Sequence, residues 1–356
     1  MLRPLDKFPV SAYNIDRTNT YKVFQAREHG VSITMEELAA LANVSQGAVS
    51  LVLNGKAQGQ ISKAKQEKIL ALAEKYRYRV NMAAKSLRNK RQYAVGVIMP
   101  CHVNFFYATM VALLQMKLAE RGYMALFSFW QSKDDVEKAY DSVYERKVDG
   151  IISWDVCERM LQERIPTVFY NREIEGYDGV RYDFARAYRG LFEYLWSLGH
   201  RRIGYAGVAG DLRQGYLKKF LQEHGVRLRK EWCFDLLDFM ESGNTVVECF
   251  LAMKEHPTAL ITTNDETARG VILAGIRRGM RLPEELSVVG FMNLPEAKMM
   301  TPALTTFDSR NELLADCLVN RILRRIEKPD LPPEQSLILP ELILRDSCCA
   351  AGGEGI

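Results

Sequence analysis

What this 356-residue chain lacks narrows its function before any motif is read. No apolar run approaches the roughly 20 residues a helix needs to cross a bilayer, so no membrane partner is expected. The opening stretch MLRPLDKFPVSAYNIDRT has no apolar core that could act as a signal peptide, and the expected location is the cytoplasm. The seven cysteines (Cys101, Cys157, Cys233, Cys249, Cys317, Cys348, Cys349) include no C-x-x-C pair, and none stands near histidine in a ligand pattern. They read as reduced thiols. The five histidines (His29, His102, His200, His224, His256) share no metal-ligand spacing. There is no G-x-x-x-x-G-K-[ST] loop, no G-x-G-x-x-G after the first apolar strand and no G-x-S-x-G elbow. The expectation is therefore no catalytic residue, no metal and no cofactor.

With 47% hydrophobic and 26% charged residues, the chain is globular and long enough for two or three domains. Its net charge of +4 conceals a division. Residues 1–93 hold 16 Lys and Arg against 7 Asp and Glu, a balance of +9, while the remainder holds 32 against 37, a balance of −5. A basic first quarter ahead of a mildly acidic body suits a head that binds nucleic acid. A solvated basic face with no polyanion partner is the alternative.

Residues 1–32 carry little pattern beyond Pro4, Pro9 and scattered polar residues, and read as a loosely held arm. The patterned stretch begins at Thr34, where Glu37 three residues on completes a T-x-x-E capping box. Met35, Leu38, Ala39 and Ala42 then recur at helical spacing. Asn43-Val44 breaks that helix, and Ser45 is a good N-cap for a second one closed by Asn54-Gly55. At 100° per residue the second helix places Ala48, Val49, Val52 and Leu53 on one arc. Gln46, Gly47, Ser50, Leu51 and Asn54 fall on the opposite arc. Two short helices around a tight turn, the second with small and amide residues on its outer face, match a DNA-binding helix-turn-helix. An ordinary helical hairpin fits this stretch alone equally well. Ser62 is read as the cap of a third helix with Ile69, Leu72, Ala73 and Tyr76 on one face.

The run Asn81 to Arg88 is about two turns, too short to hold a helix alone in water. Basic and carrying the apolar Leu87, it suits an element that orders on DNA, where apolar wedges and basic side chains enter the minor groove. A plain linker is the alternative. From Tyr93 onward, short apolar runs alternate with helical patterns. Strands are predicted at Tyr93–Met99, Tyr123–Phe129, Gly150–Ser153, Thr167–Tyr170, Arg202–Ala206, Ala259–Thr262 and Leu286–Gly290, and helices around 106–121, 134–146, 185–198, 211–224, 243–254, 265–278 and 309–326. Such alternation predicts an α/β fold of parallel sheets, and about 250 residues suit two doubly wound lobes. A ligand then belongs in the crevice beyond the carboxyl ends of the strands.

At this point the chain resembles the LacI/GalR family of bacterial transcription regulators from about Ile33 to Ser347. The resemblance rests on ANVSQGAVSLVLNG in the head, NMAAKSLR in the hinge, and RKVDGII, SLGHRRIGYAG, TNDETARG, LPEELSVVGF and TPALTT in the body. It implies a three-helix helix-turn-helix head, a hinge helix and a two-lobed body like that of periplasmic binding proteins. The corresponding divisions are an extension over 1–32, the head over 33–80, the hinge over 81–92, the body over 93–347 and a tail over 348–356. It further implies a homodimer on a double-stranded operator. Thr34 and Ser45 fall at backbone-contact positions, Gln46, Gly47 and Leu51 at base-reading positions with Ser50 and Asn54 on the same face, and Asn81, Lys85 and Leu87 in the minor-groove hinge. Gln46 could pair bidentately with adenine and Leu51 could touch only a thymine methyl, so hinge-induced bending is expected to supply much of the specificity. Two departures stand out: Val80 replaces the usual Pro before the hinge Asn, and the loop 55–60 is about two residues longer than in close relatives.

For the crevice the resemblance implies Phe105, Phe106, Arg172, Arg213, Phe239, Asn264 and Met292 as lining residues. Here an Asp-Arg pair has become Asn171-Arg172, Leu212 stands where an Arg is usual with Arg213 displaced by one, and Met292 replaces an Asp. Met cannot accept hydrogen bonds from ligand hydroxyls as that Asp does. The reading is a cytoplasmic, dimeric repressor, nucleoid-associated when bound, modulated by a small molecule such as a sugar or polyol. A regulator that has lost its effector response and a sugar-binding protein of the same body fold are the alternatives.

Overall fold

Helix α1 (Met35–Ala42) starts where the capping box predicts: the Glu37 amide donates to Thr34 Oγ1 at 3.2 Å, and the Thr34 amide donates to Glu37 Oε2 at 2.7 Å. It stops at Asn43, which adopts the left-handed φ of 55° and donates its amide back to the Ala39 and Ala40 carbonyls. Ser45 caps α2 (Gln46–Leu53) by accepting from the Ala48 amide at 3.2 Å. Val49 and Val52 bury against Leu38, Ala39, Ala42, Ile69 and Ala73, the last two from α3 (Lys63–Lys75). Burying each such valine contributes about 1.5–3 kcal/mol. Ser62 makes no side-chain cap hydrogen bond, contrary to the expectation; it and the first-turn residues Lys63, Ala64 and Lys65 are exposed.

The computed structural model describes residues 33–79, 86, 89–101, 104–208, 210–236 and 242–352. The chain divides into two units, Met1–Arg91 and Gln92–Ile356. Asn81, Lys85, Leu87 and Phe239 lie outside the described residues.

The second unit is α/β with two parallel sheets. In chain order its elements are β1 (Ala94–Pro100), α4 (Phe105–Glu120), β2 (Met124–Trp130), α5 (Val136–Tyr144), β3 (Gly150–Ser153), α6 (Glu158–Glu163), β4 (Thr167–Tyr170) and β5 (Asp178–Tyr182). There follow α7 (Phe184–Ser197), β6 (Ile203–Gly207), α8 (Leu212–Glu223), β7 (Cys233–Asp235), α9 (Ser242–Ala252), β8 (Ala259–Thr262), α10 (Asp265–Arg277), β9 (Ser287–Val289), β10 (Thr306–Asp308), α11 (Asn311–Glu327), β11 (Gln335–Ile338) and β12 (Glu341–Ile343). The first sheet runs β11-β5-β4-β3-β1-β2 and the second β7-β6-β8-β9; every pairing in both is parallel. Strands such as β1, β3 and β6 are buried at every position, which is why they read as continuous apolar runs rather than alternations.

The chain crosses between lobes after β5, after β10 and after β11, so α11 and β11 return to the first lobe before β12 pairs antiparallel with β10 in the second. Lys117 of α4 bridges Glu312 and Asp316 of α11, each at 2.9 Å, and Arg325 of α11 binds the buried Asp178 carboxylate of β5 at 2.7 Å. Strands β5, β7, β10, β11 and β12 and helix α6 have no counterpart in the sequence expectation. Each is six residues or fewer and carries polar or charged residues, so neither a period nor a continuous apolar run marks it, whereas the equally short β3, β4 and β8 are apolar runs.

Candidate functional site

On α2, Gln46 and Gly47 are exposed, as are Asn54 at its C-cap and Thr34 and Ser45 at the helix starts; Ser50 and Leu51 are half-buried. Several of these groups already have partners. Thr34 and Ser45 cap their helices, and Asn54 Nδ2 donates to the Ser50 carbonyl at 2.7 Å. Leu51 packs against the head core, so only part of it faces outward. Gln46 remains the longest polar side chain on the exposed arc. A Cβ added at Gly47 would come no nearer than 3.7 Å to its closest neighbour, the Ser45 hydroxyl, so packing does not require glycine there.

In the body, the carboxyl ends of both sheets open on one crevice of about 600 Å³. Its walls are largely rings. Trp130, Tyr170 and Tyr182 are the last residues of β2, β4 and β5, and Trp154 follows β3 by one residue. Phe106 and Tyr107 come from the start of α4, Phe184 from α7, and Phe291 from the loop after β9. Tyr170 sits between Trp154 and Phe106, with ring centroids 4.8 and 5.8 Å away. Burial pushes the Tyr107 hydroxyl up to about 12 and raises those of Tyr170 and Tyr182, so all three stay neutral in ordinary conditions.

Two ion pairs interrupt the rings. Arg172 donates through Nη2 to Asp155 Oδ2 at 2.8 Å, and through Nε to the Trp154 carbonyl at 3.5 Å. The acid missing beside Arg172 in sequence is thus supplied by the neighbouring strand's exit. Arg213 grips the Asp211 carboxylate through Nε, at 2.9 and 3.0 Å, and donates through Nη1 to the Thr263 carbonyl at 2.7 Å. Its guanidinium lies 5.6 Å from the Phe184 ring and 5.4 Å from that of Phe291. Asp211 also accepts from the Tyr205 hydroxyl at 2.6 Å. Burial would push the Asp211 carboxyl up, but the Arg213 charge and these hydrogen bonds outweigh it and hold the group below its ordinary value.

Of the expected crevice residues, Phe106, Arg172, Arg213, Asn264 and Met292 line it. Phe105 does not: it points outward, 41% exposed, at the first position of α4. Asn264 serves two purposes, lining the crevice and capping α10 by accepting from the Thr267 amide at 2.8 Å. Met292 holds φ at 125°, which an L side chain rarely adopts, while its amide donates to the Phe307 carbonyl at 2.8 Å. Sequence reasoning missed Trp130, Trp154, Asp155, Tyr170, Tyr182 and Asp211. An aromatic at or just past the carboxyl end of successive strands was the available signal for the rings; nothing local marked the two acids. Among the described residues no group of His, Cys, Asp and Glu is arranged to hold a metal, and no helix is long and apolar enough to cross a membrane.

A helix-turn-helix joined to a two-lobed body with a ring-lined crevice defines a ligand-responsive DNA-binding protein. Comparison with known proteins agrees. Residues 34–81 match the family described as bacterial regulatory proteins, lacI family, and residues 192–348 match the periplasmic binding protein-like domain. Catabolite control protein A of Priestia megaterium is 30% identical over 295 residues, spanning 78% of this chain and 87% of that protein. The NTD biosynthesis operon regulator NtdR of Bacillus subtilis (strain 168) is 29% identical over 335 residues, spanning 88% and 99%. The lac repressor dimer bound to operator and the anti-inducer ONPF shares the fold with a TM-score of 0.74 at 21% identity, covering 89% of this chain and 99% of that one. The chain belongs to the LacI family of bacterial regulatory proteins. It is a DNA-binding transcriptional regulator with an effector-binding body, and not an enzyme.

Proposed function

We propose that this regulator is a repressor that binds a pseudo-palindromic operator as a homodimer and is modulated by a sugar- or polyol-like molecule in the body crevice. The observation that carries the reading is the crevice at the carboxyl ends of both sheets, in a chain whose α2 and its C-cap present Gln46, Gly47 and Asn54 to solvent. In this reading Gln46 and Gly47 approach base edges, Leu51 offers a thymine methyl its exposed edge, and Thr34, Ser45, Ser50 and Asn54 sit against the backbone. Asn81, Lys85 and Leu87 are assigned to the minor groove on family resemblance. The division into extension 1–32, head 33–80, hinge 81–92, body 93–347 and tail 348–356 belongs to the same proposal, as does a cytoplasmic location, nucleoid-associated when bound. Rings flanked by pre-paired ions suit a neutral ligand with apolar faces and several hydroxyls.

Selection of bound sequences from random DNA, followed by affinity measurement over a panel of sugars, polyols and nucleobases, tests this. A palindromic consensus whose affinity changes at least tenfold with one panel member is expected. Leu87→Ala should weaken binding and reduce DNA bending; an unchanged affinity and bend angle would remove the wedge assignment.

A second reading, a regulator that has lost its effector response, is favoured by Arg213 and Met292. Arg213 is engaged by Asp211 and Thr263, and Met292 cannot accept from a hydroxyl. Operator affinity that is unchanged by every member of a broad panel would support it.

A further inference from the structure

At the opposite end of the second lobe lies a groove of about 870 Å³ that the effector reading does not use. It sits below the amino ends of β6 and β7, and its basic lining converges from three segments. Arg201 and Arg202 precede β6, Lys218 comes from α8, and Arg227, Arg229 and Lys230 come from the loop between α8 and β7. Six cations thus face two acids, Glu231 and Glu255, on a body whose overall balance is acidic.

Local partners take up part of this charge, and the excess rests on Lys218, Arg227 and Lys230. Arg229 takes up both acids, at 2.6 Å from Glu255 and 3.9 Å from Glu231, with its guanidinium 4.9 Å from the Trp232 ring. Arg201 is fixed without an acid: its guanidinium lies 3.7 Å from the Trp196 ring centroid, and Nη1 donates to the Trp196 carbonyl at 2.8 Å. Arg202 donates through Nε to the His256 carbonyl at 3.1 Å. Among the described residues no acidic side chain pairs with Lys218, Arg227 or Lys230, all of them exposed. Gathering like charges in one concavity is unfavourable by itself, and the groove's field favours an anion.

We propose that this groove is a second ligand site, distinct from the crevice, for a small phosphorylated metabolite carrying more than one negative charge. Planar guanidiniums held by stacking are suited to bidentate phosphate contacts, and the lysines add point charges. The volume is that of a small-molecule pocket. A duplex backbone would instead favour a basic stripe along an open face. Trp196 and Trp232, flanking the cations, give the site an intrinsic reporter.

Pyrophosphate titrated into the full chain, followed by calorimetry and tryptophan emission at constant ionic strength, tests this. The account expects saturable binding, weakened at least tenfold in Lys218→Ala/Lys230→Ala and in Arg227→Ala. Those variants should keep their unliganded melting temperature. It also expects binding unchanged in the crevice variant Arg172→Gln and in the head variant Lys63→Ala/Lys65→Ala/Lys68→Ala. Absence of saturable binding would overturn the proposal, as would equal affinity in the groove variants or loss only in the crevice or head variant. Equal affinity for sulfate would reduce the groove to a nonspecific anion patch, and displacement of pyrophosphate from the head variant by duplex DNA would overturn the small-molecule assignment.

Discussion

Asp211 and Arg213 show how single residues hold the crevice. The two side chains are only 12% and 13% exposed and satisfy each other. Removing one partner leaves the other charged and buried, so Asp211→Ala should cost about 3–5 kcal/mol in urea unfolding. A loss below about 1 kcal/mol would mean that water already solvates Arg213. Two titrating residues act with opposite signs. His200, 1% exposed, contacts Thr258 Oγ1 at 2.8 Å and the Cys349 carbonyl at 3.0 Å, and burial lowers its pKa. The fold therefore binds its proton less well than the unfolded chain; the stabilisation is complete above 6.5 and is lost as pH falls through the lowered value. Asp265 is pushed up to about 6 by burial, although it accepts from the Leu294 amide at 2.7 Å. Its stabilising contribution is present at acid pH and lost as pH rises through about 6. Melting temperatures from pH 5 to 8 should show reduced acid sensitivity in His200→Gln and a reduced neutral-pH penalty in Asp265→Asn. Parallel curves for wild type and both variants would refute these assignments.

Elements differ in how much packing constrains them. A Cβ at Gly243 of α9 would stand 2.2 Å from the Gly270 carbonyl carbon of α10, so these helices cross backbone to backbone. Gly243→Ala should cost about 3 kcal/mol, read as a lowered unfolding midpoint; Gly47→Ala, with open space around it, should stabilise α2 by about 0.5–1 kcal/mol. A stability loss at Gly47 would show a constraint absent from the geometry. These elements also mark what sequence could reveal. The capping box at Thr34, the αL stop at Asn43 and the buried arc of Val49 and Val52 are local or periodic, hence legible. Asp155 reaches Arg172 only because β3 and β4 are neighbours, and β5, Asp-Gly-Val-Arg-Tyr, offers neither a period nor an apolar run. Register and short strands are settled by tertiary packing, so the crevice's acids were not legible although its site was.

At the scale of the whole molecule, three crossings make the two lobes one ligand-binding body, and a ligand held between them stabilises it by mass action. At a concentration one hundred times its Kd, an effector should add about 2.7 kcal/mol. The protein's central property remains recognition of DNA by a basic head. The most direct measurement is the affinity of the full chain for its selected operator between 50 and 200 mM salt, set beside a scrambled duplex and the Gln46→Ala variant. The account predicts a fall of about 10³–10⁵-fold across that range if six to ten phosphates are engaged. It also predicts a loss of about 1–3 kcal/mol of discrimination at one base pair per half-site in the variant. A flat salt response, or equal affinity for the scrambled duplex, would contradict it.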